Sequence, residues 1–527
     1  MVSFQFHKMN NTFLLDVVVY TSMVALLVLH NSVVVDASRG FIAGYEPYSQ
    51  VTDHNAIDLD QQAMEQQLAL ATTETYANAL RIYQEGAYSK MVAEIVLKDP
   101  LPTDIGRGTP VKGFGERGNQ VLGRAYEDTR AFSESFRIRY QTVDDQNNYV
   151  LCQVGASQTP NTVGCFGTNG TLTIDDRYEL GYSYDPLVDN KAKRTIQKMS
   201  TSAEKRMYRC LSCPYSLYEA FVVYYGQFDY GDQIVLAAFA GKKTKFTNFN
   251  NDFGLYSFDG KEQIIKKATA YIIIWMNVVR EMEMALDDCQ SLCTLDNCNS
   301  DGAYSWDMAV AYYTGTLEGD NGTGPGKLAY ALADQQCTNF RTCGSNADST
   351  VGFSKVNLEI SKNWNTGQGK VLRGDCEAGR VDKDRIERLM YIPLIQGTLR
   401  YAWKTDNEAY SETAEAEGAV FAMAILPVVH RCDPVAAATI ASNMEVGQKG
   451  TADFAAVKQA FESTYDCMGI DPAMVGGLYD AATQTYFEGA EPAAMKLRDA
   501  ASATLVGVLG VACVAAATSL LLVVAQL

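Results

Sequence analysis

Apolar residues recur every three or four positions along four long stretches of the chain. The stretches are Asp58–Lys90, Lys261–Asp288, Asp382–Lys404 and Ala409–Arg431. This spacing places the apolar side chains on one face of a helix. The pattern therefore predicts a mainly α protein.

A different pattern occupies residues 136–189. Apolar and polar residues alternate in Phe136–Tyr140 and in Thr171–Asp175, with turn-forming residues between the two segments. Alternation with a period of two is typical of β-strands. We expect a small β-rich insertion here, and we expect the glycine-rich segment Gly315–Gly326 to be a loop.

Three predicted helices share an aromatic stripe that stops at a glycine. In each, the stripe falls at positions 0, 3 and 7, which lie on one helix face, and glycine commonly ends helices. The members are Tyr76, Ala79 and Tyr83 before Gly86; Tyr218, Phe221 and Tyr225 before Gly226; and Trp306, Ala309 and Tyr313 before Gly315. The repetition predicts a duplicated, two-lobed helical protein with lobes at 38–290 and 291–490. Core packing is the alternative explanation of the stripe.

The first residues have the pattern of a secretory signal peptide. His7 and Lys8 precede the apolar run Val17–Leu29, and small residues favour cleavage before Ser38. We therefore expect residues 1–37 to be removed, with an uncleaved anchor as the alternative.

The last residues have the composition of a membrane anchor. Residues 503–525 carry no charge and are long enough to form a transmembrane helix. Residues 491–502 are expected to be a juxtamembrane spacer, and a lipid-anchor signal is the alternative interpretation. Both ends together predict an outward-facing protein that reaches the plasma membrane through the secretory pathway.

Cysteines and glycosylation sequons agree with that compartment. Of 13 cysteines, Cys513 lies in the predicted anchor, which leaves an even number for disulfide bonds. Local pairings are expected for Cys152 with Cys165, Cys337 with Cys343, and Cys210 with Cys213. Sequons at Asn169 and Asn321 predict glycosylated, exposed loops.

The residue composition narrows the chemistry of any metal site. A net charge of −18 argues against binding of nucleic acid or anionic lipid. The chain has 30 Tyr and only four His, and of these only His54 and His430 follow the signal region. Zinc and copper sites built on imidazole are therefore disfavoured. Phenol and carboxylate oxygens remain, and these hard donors suit Fe(III).

Two segments resemble the Fe-assimilating periplasmic proteins of green algae and the phytotransferrins of diatoms. They are Trp306-Asp-Met-Ala309-Val-Ala-Tyr312-Tyr313-Thr-Gly315 and Lys327-Leu-Ala-Tyr-Ala-Leu-Ala-Asp-Gln-Gln-Cys337-Thr-Asn-Phe340-Arg-Thr-Cys343. The similarity extends through Arg385–Tyr391 and Glu417–Pro427. The resemblance implies a cell-surface protein, induced by iron starvation, that captures Fe(III) with carbonate and is internalised by endocytosis. It identifies no individual ligands.

Phenol–carboxylate clusters beside the glycine helix stops are our candidate iron ligands. A trivalent ion displaces the phenol proton, much as metals deprotonate other ligands. The candidates are Tyr83 and Glu85; Tyr225, Asp229, Tyr230 and Asp232; and Tyr313, which has Glu318 and Asp320 nearby. Arginines on the same helices, Arg81, Arg280 and Arg400, are candidates for holding the carbonate.

Two other classes of function stay open. His430 and Asp433 resemble the HxxE pair of imelysin-like helical proteins, which would make the chain a metal-dependent hydrolase if both residues share a helix face. An adhesion or wall-associated protein without a small ligand is the third possibility. Gly113–Gly118 imitates a dinucleotide-binding fingerprint, but no predicted strand leads into it. We expect a binding protein and not an enzyme.

Overall fold

A computed structural model describes residues 41–49, 51–86, 93–114, 120–126, 128–140, 167, 169–183, 194–291 and 299–493. The predicted signal peptide, the predicted transmembrane segment and most of the predicted spacer lie outside these residues. The expected pairing of Cys152 with Cys165 lies outside them as well. Within them the protein is mostly helical with a small strand insertion, as predicted.

The helices are numbered here in chain order. They are α1 (Thr52–Asn55), α2 (Ile57–Leu68), α3 (Thr73–Glu85), α4 (Ile196–Thr201), α5 (Ser216–Tyr225), α6 (Tyr230–Ala240), α7 (Phe258–Ala268), α8 (Trp275–Asp287), α9 (Ser300–Thr314), α10 (Ala329–Phe340), α11 (Lys355–Leu372), α12 (Cys376–Asn407), α13 (Glu412–Cys432), α14 (Pro434–Met444), α15 (Phe454–Met468) and α16 (Pro472–Val475). Short π-helical segments occur at Glu204–Tyr208 and at Thr269–Ile274, and a 3₁₀ turn at Phe253–Leu255.

The four apolar stretches form helices as expected. The first stretch contains two helices, α2 and α3. A new helix starts after Thr72, whose hydroxyl caps α3 by accepting a hydrogen bond from the Thr75 N–H at 3.2 Å. The second is α7 and α8 joined through the π-helical segment Thr269–Ile274. The third and fourth are α12 and α13. Their apolar periodicity was therefore a reliable guide to helix position.

The three aromatic-striped helices end where the glycines predicted. Gly86, Gly226 and Gly315 follow α3, α5 and α9 with φ angles of 76°, 72° and 83°. These positive angles are readily adopted only by glycine, so the helices stop there. All nine stripe residues are buried. Core packing accounts for the stripe.

The strand insertion is a closed six-stranded antiparallel barrel. Its strands are β1 (Ala93–Leu97), β2 (Pro110–Phe114), β3 (Gln120–Ala125), β4 (Ser135–Tyr140), β5 (Asn169–Ile174) and β6 (Tyr178–Ser183), in the order β1-β4-β3-β2-β5-β6. Pairing of β1 with β6, at Val96 with Ser183 and Leu97 with Tyr182, closes the barrel. The strands thus begin at Ala93, earlier than the predicted start at residue 136. Two further short strands, β7 (Tyr479–Asp480) and β8 (Thr485–Tyr486), form a separate hairpin.

Two apolar cores result from this architecture. The barrel interior holds Ile95, Val111, Ile138 and Leu172, and Leu59 from α2 packs into the same cluster. The helical core is much larger, with α9 against α8 and α12 between α11 and α13. The barrel is therefore attached to the helical body through α2.

One described helix is long and apolar enough to cross a membrane. It is α13 (Glu412–Cys432), and 78% of its most apolar window is buried inside the protein. It contains Pro427 and is covered by α12, α14 and α7. Its apolar composition therefore reflects its position in the core.

Disulfide pairs hold several helix ends. The structure pairs Cys337 with Cys343 and Cys210 with Cys213, as expected from the sequence. It also joins the end of α8 to the start of α12 through Cys289 and Cys376, and the end of α13 to α15 through Cys432 and Cys467. The disulfide interpretation of the cysteines is thus supported within the described residues.

Candidate metal and anion site

Tyr83 pairs with a carboxylate of the second predicted group, Asp232, and not with its sequence neighbour Glu85. The Tyr83 hydroxyl donates a hydrogen bond to Asp232 Oδ1 at 2.7 Å, and Gln197 Nε2 donates to the same oxygen at 3.1 Å. Burial, followed by the neighbouring Asp232, raises the pKa of Tyr83, and burial raises the pKa of Asp232. Glu85 is exposed and takes no part.

The second predicted group is mainly core. The Tyr225 hydroxyl donates to the carbonyl of Met423 at 2.6 Å, and its ring stacks on Tyr230 with centroids 5.2 Å apart. Burial raises the pKa of both phenols. Asp229 accepts a hydrogen bond from Gln233 at 2.7 Å. Tyr225 and Tyr230 are thus packed and uncharged, which does not suit metal ligation.

The third predicted group joins a chain of side-chain hydrogen bonds. The Tyr313 hydroxyl donates to Asn357 Oδ1 at 2.7 Å, and Asn357 Nδ2 donates to Asp334 Oδ1 at 2.8 Å. Burial, with Asp334 as the next cause, raises the pKa of Tyr313. This phenol is therefore held as a proton donor to an amide.

The three predicted anion-binding arginines lie apart. Arg81 is exposed on α3, and Arg400 is half-buried with its guanidinium 5.2 Å from the centroid of the Tyr401 ring. Arg280 is buried in a polar cluster. The two sequon asparagines, Asn169 and Asn321, are exposed, as a glycan would require.

The imelysin-like pair does not assemble. Helix α13 ends at Cys432, and Asp433 has an extended backbone (φ −150°, ψ 104°). Its carboxylate caps α14 by accepting from the Val435 N–H at 2.8 Å. His430 packs edge-on against Tyr224. The two residues therefore do not share a helix face.

A different set of residues, which the sequence did not reveal, converges around His54. Its Nδ1 lies 2.7 Å from the hydroxyl of Tyr312, and its Nε2 lies 2.8 Å from the hydroxyl of Tyr304. Arg194 Nη2 lies 2.9 Å from the same Nε2. One phenol and one guanidinium thus adjoin Nε2, and the second phenol lies at the opposite ring nitrogen.

More charge surrounds this point. Glu281 accepts a hydrogen bond from Arg280, and it interacts electrostatically with Arg206 and Arg194. Arg206 in turn interacts with Arg280, Arg194 and Tyr312. We call the seven residues the His54 cluster: His54, Arg194, Arg206, Arg280, Glu281, Tyr304 and Tyr312. Three arginines and one glutamate give it an excess of positive charge.

Four elements bring six of the seven residues together, and Arg194 comes from the segment just before α4. His54 comes from α1, and Tyr304 and Tyr312 lie two turns apart on α9. Arg280 and Glu281 lie on α8, which packs along α9. Arg206 lies in a π-helical segment, and a second one leads into α8. Such segments are rare and often occur at functional sites, because the wider turn redirects side chains.

Most of the cluster is buried. His54, Tyr312, Arg194 and Glu281 are buried, and Glu281 is fully so. Tyr304 is half-buried, and Arg206 is exposed. These last two residues therefore lie nearest to the surface.

The charged side chains of the His54 cluster favour binding of an anion together with a cation. Burial raises the pKa of Glu281, although Arg280, Arg206 and Arg194 oppose that rise. Burial, followed by the charge of Arg280, lowers the pKa of Arg206. Glu281 Oε2 has no hydrogen-bond partner among the described residues. A buried carboxylate oxygen without a partner is costly, so a ligand that contacts it is stabilising.

The donor types decide which metals fit. The described residues contain no group of three or more His, Cys, Asp and Glu side chains arranged to hold a metal. At the His54 cluster the available donors are two phenols, one imidazole and one carboxylate. Phenolate and carboxylate are hard donors, which suit Fe(III) better than zinc or copper(I). The arginines present planar donors matched to an oxyanion.

Sequence reasoning missed this cluster for a definable reason. Tyr304 and Tyr312 are about 250 positions from His54, so only the fold brings them together. Tyr312 also directly precedes Tyr313, which the aromatic stripe selected. One feature of the sequence did point to His54, because it is one of only two histidines beyond the predicted signal peptide.

Comparison of the chain with protein-family models, with curated proteins and with solved structures finds no match.

Proposed function

We propose that this protein is a cell-surface ferric-iron-binding protein that captures Fe(III) with carbonate as a synergistic anion. The iron is cargo and not a catalytic cofactor, and the protein is not an enzyme. The resemblance to phytotransferrins suggested this function, and the donor chemistry of the His54 cluster supports it.

The observation that carries the proposal is that the hydroxyls of Tyr304 and Tyr312 contact the two ring nitrogens of His54. Because these nitrogens face opposite sides of the ring, one ion would bind one phenol in place, or both after the side chains turn towards it. Each ligating phenol would lose its proton, since metals bind the deprotonated ligand. His54 would contribute a ring nitrogen, and Glu281 the oxygen that lacks a protein partner. This is a mixed set of hard oxygens with one nitrogen, suited to a trivalent ion.

Carbonate would be held by the guanidinium groups of the same cluster. Arg194, Arg206 and Arg280 supply more positive charge than Glu281 offsets, and an arginine can bind an oxyanion through two parallel N–H groups. The anion would also separate the arginines from the ferric ion. Iron and carbonate would thus stabilise each other, because each compensates the charge that opposes the other.

The proposal also includes the expected route of the protein to the cell surface and its two-lobed organisation. A signal peptide and a C-terminal membrane helix or lipid anchor would present the folded part outside the plasma membrane, with glycans at Asn169 and Asn321. The duplicated, two-lobed organisation would follow from the repeated helices that end at Gly86, Gly226 and Gly315. Endocytosis would then carry the loaded protein into acidified vesicles, where protons compete for phenolate and carbonate.

The test is a spectroscopic titration of the purified protein with ferric nitrilotriacetate, with and without bicarbonate. Phenolate bound to Fe(III) gives a visible charge-transfer band, so we expect colour that saturates and that requires bicarbonate. The same titration with zinc controls for unspecific metal uptake. A protein that binds no ferric iron, or whose colour is indifferent to bicarbonate, contradicts the proposal.

A further inference from the structure

A cavity of about 660 Å³ lies at the N-terminal end of α10. None of its lining residues belongs to the His54 cluster. The glycine-rich segment Gly322–Lys327 forms part of its wall, and Lys266 and Lys267 from α7 contribute to it. A water molecule occupies about 30 Å³ in the liquid. The cavity is therefore large enough for a small organic molecule.

The first turn of α10 leaves backbone donors at this cavity. Its N-cap residue is Leu328, whose side chain cannot accept a hydrogen bond. The Leu332 N–H is the first to bond within the helix, to the carbonyl of Leu328. The N–H groups of Ala329, Tyr330 and Ala331 therefore have no partner inside the helix, and Ala331 lines the cavity. Such a helix end attracts an anion.

Three lysines lie in the same wall, although burial lowers the pKa of Lys267. Lys327 directly precedes the helix and pairs with Glu65 at 2.9 Å. Lys266 pairs with Glu262 at 3.1 Å and Lys267 with Glu417 at 3.4 Å. Of these three carboxylates, only Glu65 lines the cavity. The ion pairs hold the ammonium groups in place beside the open space.

Glu318 supplies an independent sign of a missing ligand. Its side chain is only 3% exposed and lines the cavity, and its Oε1 has no hydrogen-bond partner among the described residues. Burial, with Asp334 and Asp58 nearby, raises the pKa of Glu318 to about 8. Burial therefore favours the protonated form of this side chain, which can donate a hydrogen bond.

The remaining acidic group at the cavity is already engaged. Asp334 Oδ1 accepts hydrogen bonds from the Ser354 N–H at 2.7 Å and from Asn357 at 2.8 Å. The glycines of the loop also have a specific role, since a Cβ on Gly326 would lie 1.8 Å from Glu318 Oε1. The loop can cover Glu318 closely only because residue 326 has no side chain.

We propose that this cavity binds a small organic oxyanion, whose carboxylate or phosphate group accepts hydrogen bonds from the first turn of α10 and from Lys327. The rest of the molecule occupies the cavity beside Glu318 and Lys267. The site is separate from the His54 cluster and does not depend on the proposed iron binding.

Calorimetric titration of the iron-free, full-length protein in detergent tests the proposal with three probes: inorganic phosphate, glycerol 3-phosphate and malate. We expect one of the two organic anions to bind, and the tighter of them distinguishes a phosphate from a carboxylate site. Lys327→Gln should weaken that binding at least tenfold. The matched control is Lys458→Gln, which breaks a similar surface pair with Glu462 on α15 and should leave binding unchanged.

Gly326→Ala provides a second variant, because the added methyl group displaces Glu318 without altering charge. It should also weaken binding, with thermal unfolding used to confirm that both variants are folded. Absence of binding by all three probes at millimolar concentration overturns the proposal. So does binding that Lys327→Gln and Gly326→Ala both leave intact, because the anion would then lie elsewhere.

Discussion

Two tyrosine-rich regions of this protein look alike in sequence and differ in chemistry. In the region of α5 and α6, Tyr218 and Tyr225 donate to the backbone carbonyls of Phe228 and Met423, each at 2.6 Å. In the His54 cluster, Tyr304 and Tyr312 meet an imidazole ring. A phenol bonded to a carbonyl must keep its proton. A phenol beside imidazole and arginine can give it up to a metal.

The two regions also differ in the charges that surround their phenols. Burial raises the pKa of Tyr225 and Tyr230, and no cation contributes to lowering it. The His54 cluster holds three arginines around one carboxylate. Aromatic density thus marks core packing, whereas the polar partners of each phenol indicate whether it can bind an ion.

We expect the largest difference in iron binding between tyrosine-to-phenylalanine variants of the two regions. Tyr312→Phe removes a proposed ligand. Loss of a residue that only hydrogen-bonds to a metal ligand lowers metal affinity about 10–100-fold, so we expect loss of the ligand itself to lower ferric affinity about 100-fold or more. Tyr225→Phe should keep full iron binding. It should lower the free energy of unfolding by about 1–3 kcal/mol, because the Met423 carbonyl loses its donor.

Ferric titration and chemical denaturation of the two variants measure both effects. If Tyr225→Phe loses the ferric colour while Tyr312→Phe retains it, the roles of the two regions are reversed and the site assignment is wrong.

The aromatic stripe explains why sequence analysis selected Tyr313 and Tyr225 and not Tyr312. Positions 0, 3 and 7 of a helix select the face that packs into the core, so Tyr313 and Tyr225 were chosen by the same feature that buries them. Tyr312 lies one position off that face, where it reaches His54. Local periodicity could therefore predict the helices and their glycine stops, but it did not select the ligands that we propose.

Long-range pairing explains the other misses. The first barrel strands are short, and β1 is fixed by pairing with β4 and β6, which lie far along the chain. Arg194 and His54 are likewise joined only by the fold. Arg280, a candidate from the sequence, lies in the His54 cluster, although nothing in its sequence neighbours distinguished it from Arg400.

The second prediction concerns the anion. Arg206→Gln removes an exposed cation from the His54 cluster, whereas Arg209→Gln removes a neighbouring one that pairs with Glu204 outside it. A hydrogen bond to a charged group contributes about 1.5–3 kcal/mol. We therefore expect carbonate-dependent iron affinity to fall about tenfold or more in the first variant only. If the two variants show the same bicarbonate dependence of iron affinity, Arg206 is not part of the anion site.

The third prediction follows the same variant through pH. Glu281 must be ionised to bind the ion, and burial raises its pKa, so protons compete with iron for this carboxylate as the pH falls. The charge of Arg206 opposes the rise. Arg206→Gln should therefore raise the pKa of Glu281 further and move iron release to higher pH. The midpoint of the colour against pH measures this shift, and an unchanged or lower midpoint speaks against Glu281 as a ligand.

The smallest expected effect is at Tyr83, where the two regions are hardest to tell apart. Its phenol contacts a carboxylate, as a ligand pair would, yet no histidine or arginine adjoins that contact among the described residues. Tyr83→Phe leaves Asp232 with the hydrogen bond from Gln197, so the loss should be about 0.5–1.5 kcal/mol of stability. Iron affinity and the charge-transfer band should not change. A band that disappears in this variant while the protein remains folded would transfer the site to Tyr83 and Asp232, and it would show that a phenol and a carboxylate bind ferric iron without the imidazole.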